Sequence, residues 1–165
     1  MSPATKQIAF TLNGESRTCE VRPSESLMDV LRRSGYVGTK NGCTDGACGS
    51  CTVLLDGKSV NACITFAFQA HGRTVTSIEG VGDYDNPHPF QEALVENSGC
   101  QCGFCIPGFV MSVKGMLDQI PNPTHKQIME NLDGNYCRCT GYEKIEDALH
   151  SAISRTSKEE PAWER

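Results

Sequence analysis

The sequence has no apolar run approaching the roughly 18 residues that a membrane-spanning helix requires. It also has no long Lys/Arg run, which with a formal net charge of -5 argues against a nucleic-acid surface. The opening stretch, Met1 to Gln7, is short and polar and lacks the apolar region of a secretory leader, so the expectation is a cytoplasmic protein. No internal repeat and no low-complexity tract interrupts the chain. What is abundant is cysteine, at ten in 165 residues. Disulfide frameworks that dense belong to shorter secreted chains, whereas in a reducing compartment thiols stay free unless a metal holds them. The excess therefore points to metal ligands. With 38% hydrophobic residues two small cores are affordable, leaning on metal centres for part of their stability.

Two kinds of patterning divide the chain. Up to about residue 80 the period is that of strands. Ile8, Phe10 and Leu12 alternate with polar neighbours, Asn13-Gly14 suits a type I′ turn, and Cys19 and Val21 alternate on the return strand. Ser26 followed by Asp29 starts a short helix with Leu27, Val30 and Leu31 on one face. A glycine-rich loop, Gly38 to Cys51, precedes strands at Thr52–Leu55 and, after the Asp56-Gly57 turn, on to about Asn61. Ala62 to Ala70 reads as a helical turn and Thr74 to Ile78 as the last strand. Glu79 to Pro89 is a linker. Beyond it the period is helical, with stripes at Phe90, Ala93, Leu94, then Ile106 through Ile120, then a helix capped by Thr124 and Gln127, then Ile145 through Ile153. This predicts an α+β protein with three parts: 1–80 built on strands, 81–156 built as a small bundle of four helices, and a polar tail over 157–165 with Trp163 as its only large apolar residue.

The cysteines fall into two sets. Cys43, Cys48 and Cys51 form a C-x4-C-x2-C run, and Cys63 follows after eleven residues, the spacing of plant-type [2Fe–2S] ferredoxins. Gly42, Gly46 and Gly49 permit the close backbone wrapping and sulfur-directed N–H groups that a compact anionic cluster demands. Structural zinc prefers two short-spaced cysteine knuckles, and Cys63 has no such neighbour. Cys102 and Cys105, a Cys-x-x-Cys, find partners in Cys137 and Cys139, all at helix ends, where N-termini favour anionic groups. A thioredoxin-like dithiol would leave Cys137 and Cys139 unexplained, while zinc stays open at this second set on the residues alone. Cys19 reads as a small buried hydrophobe. Cys100 is either a spare thiol or a competitor of Cys102.

The segments Gly42-Cys43-Thr44-Asp45-Gly46-Ala47-Cys48-Gly49-Ser50-Cys51, Gln101-Cys102-Gly103-Phe104-Cys105 with Pro107-Gly108, and Cys137-Arg138-Cys139-Thr140-Gly141-Tyr142 resemble the iron–sulfur subunit of the xanthine oxidase family of molybdenum hydroxylases. That resemblance implies a ferredoxin-like β-grasp domain followed by a four-helix-bundle domain, each holding one [2Fe–2S] cluster. It implies a chain without substrate chemistry of its own, passing electrons from a molybdopterin cofactor on a large subunit to FAD on a medium subunit, in a dimer of heterotrimers. It places the bundle cluster nearest the pterin and the other nearest the flavin. Gln101 and Cys139 would face the pterin, although a loop-capping amide is the plainer role for Gln101. Two positions depart from the family pattern: Cys100 stands where a small or apolar residue is common, and Ile106 where threonine is. The alternatives are a free-standing two-cluster ferredoxin and a structural zinc adaptor.

Overall fold

A computed structural model describes residues 5–156. The tail at 157–165, Trp163 included, lies outside the described residues.

Strands β1 (Lys6–Leu12) and β2 (Glu15–Val21) pair antiparallel from Lys6 opposite Val21 to Leu12 opposite Glu15. Asn13 and Gly14 make the turn at φ 51° and 86°, the left-handed values a two-residue hairpin loop needs. Helix α1 (Leu27–Arg33) starts at Ser26, whose hydroxyl accepts the Asp29 N–H at 3.1 Å. Strands β3 (Thr52–Leu55) and β4 (Lys58–Asn61) form a second hairpin, and β5 (Thr74–Thr76) lies between the two hairpins. The sheet order is β2-β1-β5-β3-β4, with β5 parallel to β1 and antiparallel to β3. Leu27, Met28, Val30 and Leu31 of α1 cover the face that carries Ile8, Phe10, Leu12, Val53 and Val75. Burying such side chains contributes about 1.5–3 kcal/mol each against the entropy of ordering the chain.

Two elements are shorter than the pattern predicts. The last strand ends at Thr76 because the Ser77 N–H turns to the Asn13 carboxamide oxygen at 2.9 Å, and Ile78–Gly80 forms a 3-10 turn. Within Ala62 to Ala70 only Ala67–Ala70 winds, also as a 3-10 turn.

The rest is helical: α2 (Pro89–Glu96), α3 (Ile106–Leu117), α4 (His125–Leu132) and α5 (Glu143–Thr156). Phe90, Phe109, Val113, Ile128, Ile145 and Leu149 meet in one buried cluster. Thr124 and Gln127 make the expected reciprocal cap of α4. The α3 stripe stops at Leu117, so Ile120 lies past the helix, its N–H still bonded to the Met116 carbonyl at 2.8 Å.

Sequence periodicity gives α3 one buried side, yet Met111, Gly108, Ser112 and Gly115 are buried too. The small-residue side lies on the sheet: a Cβ at Gly115 would stand 2.3 Å from Ser59 Oγ and 2.9 Å from Leu54 Cδ2. Leu54 of β3 in turn belongs to the helical core. The architecture is α+β, with a mixed sheet and its helix joined to a helical half through α3. Among the described residues no helix is long and apolar enough to cross a membrane.

Candidate metal centres

The loop between α1 and β3 is fastened at its ends. Arg32 donates to the carbonyls of Val37 and Thr39 at 3.1 and 2.8 Å, and Asn61 donates to the Gly46 carbonyl at 2.8 Å. Around those ties the Cys43 and Cys48 thiols face each other, and Cys51 faces Cys63 across the start of β3 and the end of β4. Backbone N–H groups point at the sulfurs: those of Asp45 and Cys48 toward Cys43, and that of Cys63 toward Cys51. Burial pushes the Cys51 thiol up to about 12. Cys43 is lowered: the Asp45 carboxylate and burial raise it, and the amides with the Cys48 thiol outweigh them.

The second set forms where helices end. Cys105 is the residue from which α3 departs, and Cys137 and Cys139 occupy the turn between α4 and α5. Cys139 Sγ lies 3.6 Å from Cys102 Sγ, and Cys105 faces Cys137. The Thr140 hydroxyl donates to Cys137 Sγ at 3.1 Å, and the Tyr142 hydroxyl accepts the Cys137 N–H at 2.9 Å. Burial raises the Cys137 thiol, but Thr140, the amides of Thr140 and Cys139, and Cys105 bring it below its usual value. Burial pushes Cys105 up to about 12, and the facing Cys102 thiol raises Cys139. Thiols this reluctant to ionise become thiolates when a metal displaces their protons.

In each set the sulfurs stand two and two, as a binuclear centre with two thiolates on each iron requires. One tetrahedral zinc with bonds of about 2.3 Å would gather all four within about 3.8 Å of one another. Among the described residues no three cysteine sulfurs lie within 4.8 Å of each other. The pairing, the aimed amides and a crevice of about 230 Å3 lined by Cys48, Cys102, Cys105, Cys137 and Cys139 fit iron–sulfur chemistry. Cys19 is half-buried opposite Ile8 and Cys100 is exposed, and neither belongs to these pairs. Gln101, Cys102 and Cys139 are exposed together, so one edge of the second set opens to the surface. Ile106 is half-buried against the helical core.

The two loops also hold each other. The Tyr136 N–H donates to the Cys48 carbonyl at 2.9 Å, and the Asn135 amide donates to the Gly49 carbonyl at 3.0 Å. Asn135 is only 2% exposed and accepts the Ser112 hydroxyl at 2.7 Å. At Gly49 (φ 66°) a Cβ would come within 2.3 Å of the Gly134 carbonyl, and at Gly108 within 2.4 Å of the Gly49 carbonyl. Nothing in the cysteine spacing points to Asn135; a lone asparagine before Tyr136-Cys137 carries no local signal of an 86-residue reach.

These features define a protein carrying two binuclear iron–sulfur centres. Residues 10–72 match the model of the 2Fe-2S iron-sulfur cluster binding domain, and residues 77–150 that of the [2Fe-2S] binding domain. The nicotinate dehydrogenase small FeS subunit of Eubacterium barkeri is 40% identical, over 90% of this chain and 95% of that one. Xanthine dehydrogenase of Dictyostelium discoideum is 43% identical over 93% of this chain, which spans only 12% of that protein. The structure of quinoline 2-oxidoreductase from Pseudomonas putida 86 superposes with a TM-score of 0.85 at 37% identity, covering 91% of this chain and 94% of its own. The chain belongs to the iron–sulfur subunits of the xanthine oxidase family of molybdenum hydroxylases.

Proposed function

We propose that this chain carries electrons from a molybdopterin centre on a large subunit to FAD on a medium subunit, in a cytoplasmic dimer of heterotrimers. The observation that carries the reading is the two-and-two arrangement of eight thiols in loops that clasp each other. Cys43, Cys48, Cys51 and Cys63 hold one centre, and Cys102, Cys105, Cys137 and Cys139 the other, with Cys100 left out. Bound there, the two [2Fe–2S] groups supply one-electron carriers.

The chain's own residues do the rest. Backbone amides and the Thr140 hydroxyl stabilise negative charge on the sulfurs. The Cys48 carbonyl and Tyr136 amide join the two ligand sets by one hydrogen bond, with Cys137 the next residue along. Gln101 and Cys139, on the exposed edge, meet the pterin, and the first set faces the flavin side. The sheet with α1 is a β-grasp domain over 1–80, and α2 to α5 a four-helix bundle over 81–156. Relatives that are separate small subunits support assembly with larger chains.

Purification tests the reading. A brown chain with about four irons and two distinct paramagnetic signals on reduction, co-purifying with two larger proteins, is expected. A chain that runs alone and reduces acceptors unaided would be a free-standing ferredoxin, and a colourless zinc protein would refute both.

A further inference from the structure

Away from the cysteines, three donor side chains converge on the outer side of α4 and α5. His125 is the first residue of α4, and Glu146 and His150 stand one turn apart on α5. His125 Nδ1 lies 3.5 Å and His150 Nε2 3.4 Å from the same oxygen, Oε1 of Glu146. The two imidazoles are stacked, 5.9 Å between centroids and 12° from parallel, so both present a nitrogen to one side. All three donor atoms fall within 4.8 Å of one another, the only such group among the described residues.

We propose that His125, Glu146 and His150 form a mononuclear site for a late first-row divalent cation, with zinc the natural occupant. A tetrahedral zinc with bonds of about 2.0–2.1 Å spaces its ligands about 3.4 Å apart, which is the separation both imidazole nitrogens already keep from Glu146. Two neutral imidazoles and one carboxylate are a zinc donor set that leaves a fourth position to water. The plainer arrangement is a pair of hydrogen bonds, each neutral imidazole donating one N–H to the same carboxylate oxygen, and metal analysis separates it from a bound ion. The site is reachable from solvent: the His125 side chain is 58% exposed, those of Glu146 and His150 27% and 24%. The nearby cations are already engaged, Lys126 with Glu130 and Lys144 with Asp147. The turn bearing Cys137 and Cys139 joins α4 to α5, so an ion here would clamp the two helices that present half of the second thiol set.

The test uses the full chain with its iron in place and Cys100→Ala as the background, removing an exposed thiol that could bind zinc itself. After dialysis against Zn2+ and then buffer, metal analysis should find about one zinc per chain with the visible iron–sulfur absorbance unchanged. His125→Ala, at an exposed position, and the isosteric Glu146→Gln should each weaken retention by at least the roughly 10–100-fold that loss of even an outer-shell partner costs. Cu2+ bound to the oxidised protein should show nitrogen hyperfine coupling from two imidazoles, reduced to one in His125→Ala. Equal zinc retention by the two variants and the background, uptake that tracks bleaching of the iron–sulfur absorbance, or no retained zinc would each overturn the site.

Discussion

Three thiols of the first set hang from a loop without regular structure, with Cys63 just past β4, and the second set hangs from the ends of helices. In the first, backbone conformation does the positioning: Thr44, Gly46 and Gly49 sit at φ 72°, 86° and 66°, and the loop is tied down by two hydrogen bonds from Arg32 and one from Asn61. In the second, Cys105 opens α3, and the turn bearing Cys137 and Cys139 is fixed because α4 and α5 are packed on a common core. A loop site is therefore sensitive to what replaces a glycine, and a helix-end site to what happens in the core beneath it.

The contrast breaks most sharply at the ligands. Cys137→Ser should remove one centre and Cys51→Ser the other, leaving about two irons of four in each case, read by metal analysis and low-temperature paramagnetic resonance. Loss of all iron in either variant would mean the halves cannot hold metal separately. Next comes the clasp. Gly108→Val drives side-chain atoms into the Gly49 carbonyl and should cost roughly 2–4 kcal/mol in denaturant unfolding, with both paramagnetic signals disturbed. Asn135→Ala removes the buried amide that Gly49 and Ser112 share, and a loss of about 1–3 kcal/mol is expected.

A smaller effect separates the halves by pH. The His88 side chain caps α2, its Nδ1 accepting the Phe90 N–H at 3.2 Å, and burial, aided by Lys114 and opposed by Asp118, lowers its pKa below the usual 6.5. The acceptor must be neutral. A base with a depressed folded pKa contributes stability that is present above 6.5 and lost as pH falls through the folded value. The stability of the helical half should fall as the pH drops below 6.5, and His88→Asn, which caps without titrating, should flatten that component. Smallest of all, Cys100→Ala should leave the iron content and both signals unchanged, because this exposed thiol stands outside the four pairs.

Much of this was legible in the chain because its signals are local. Asn13-Gly14, Ser26 with Asp29, and Thr124 with Gln127 announce a turn and two caps within four residues each, and all three form. The grouping of cysteines into two sets likewise follows from spacing. What spacing could not give is which sulfur faces which: the pairing of Cys102 with Cys139 and Cys105 with Cys137 depends on how α3, α4 and α5 pack. The parallel alignment of β1 with β5, made by Thr11 with Thr74 and Leu12 with Val75, has no local signature either. Nor does the second buried side of α3, since Gly108, Ser112 and Gly115 read as polar or neutral until β3 and β4 are laid against them. His125 lies 21 positions before Glu146, and only the Glu146–His150 spacing on α5 is visible in the sequence.

The clasp between Asn135 and Gly49 also sets a clock. It joins groups 86 residues apart, so its closure carries a large loop entropy and comes late in folding, after each half has formed its nearer contacts. Until then both thiol loops present their facing edges to solvent, and afterwards the Gly49 and Gly108 backbones shut that side. The order of events is thus each half first and the join between the two thiol loops last, with Gln101, Cys102 and Cys139 still at the surface once it is made.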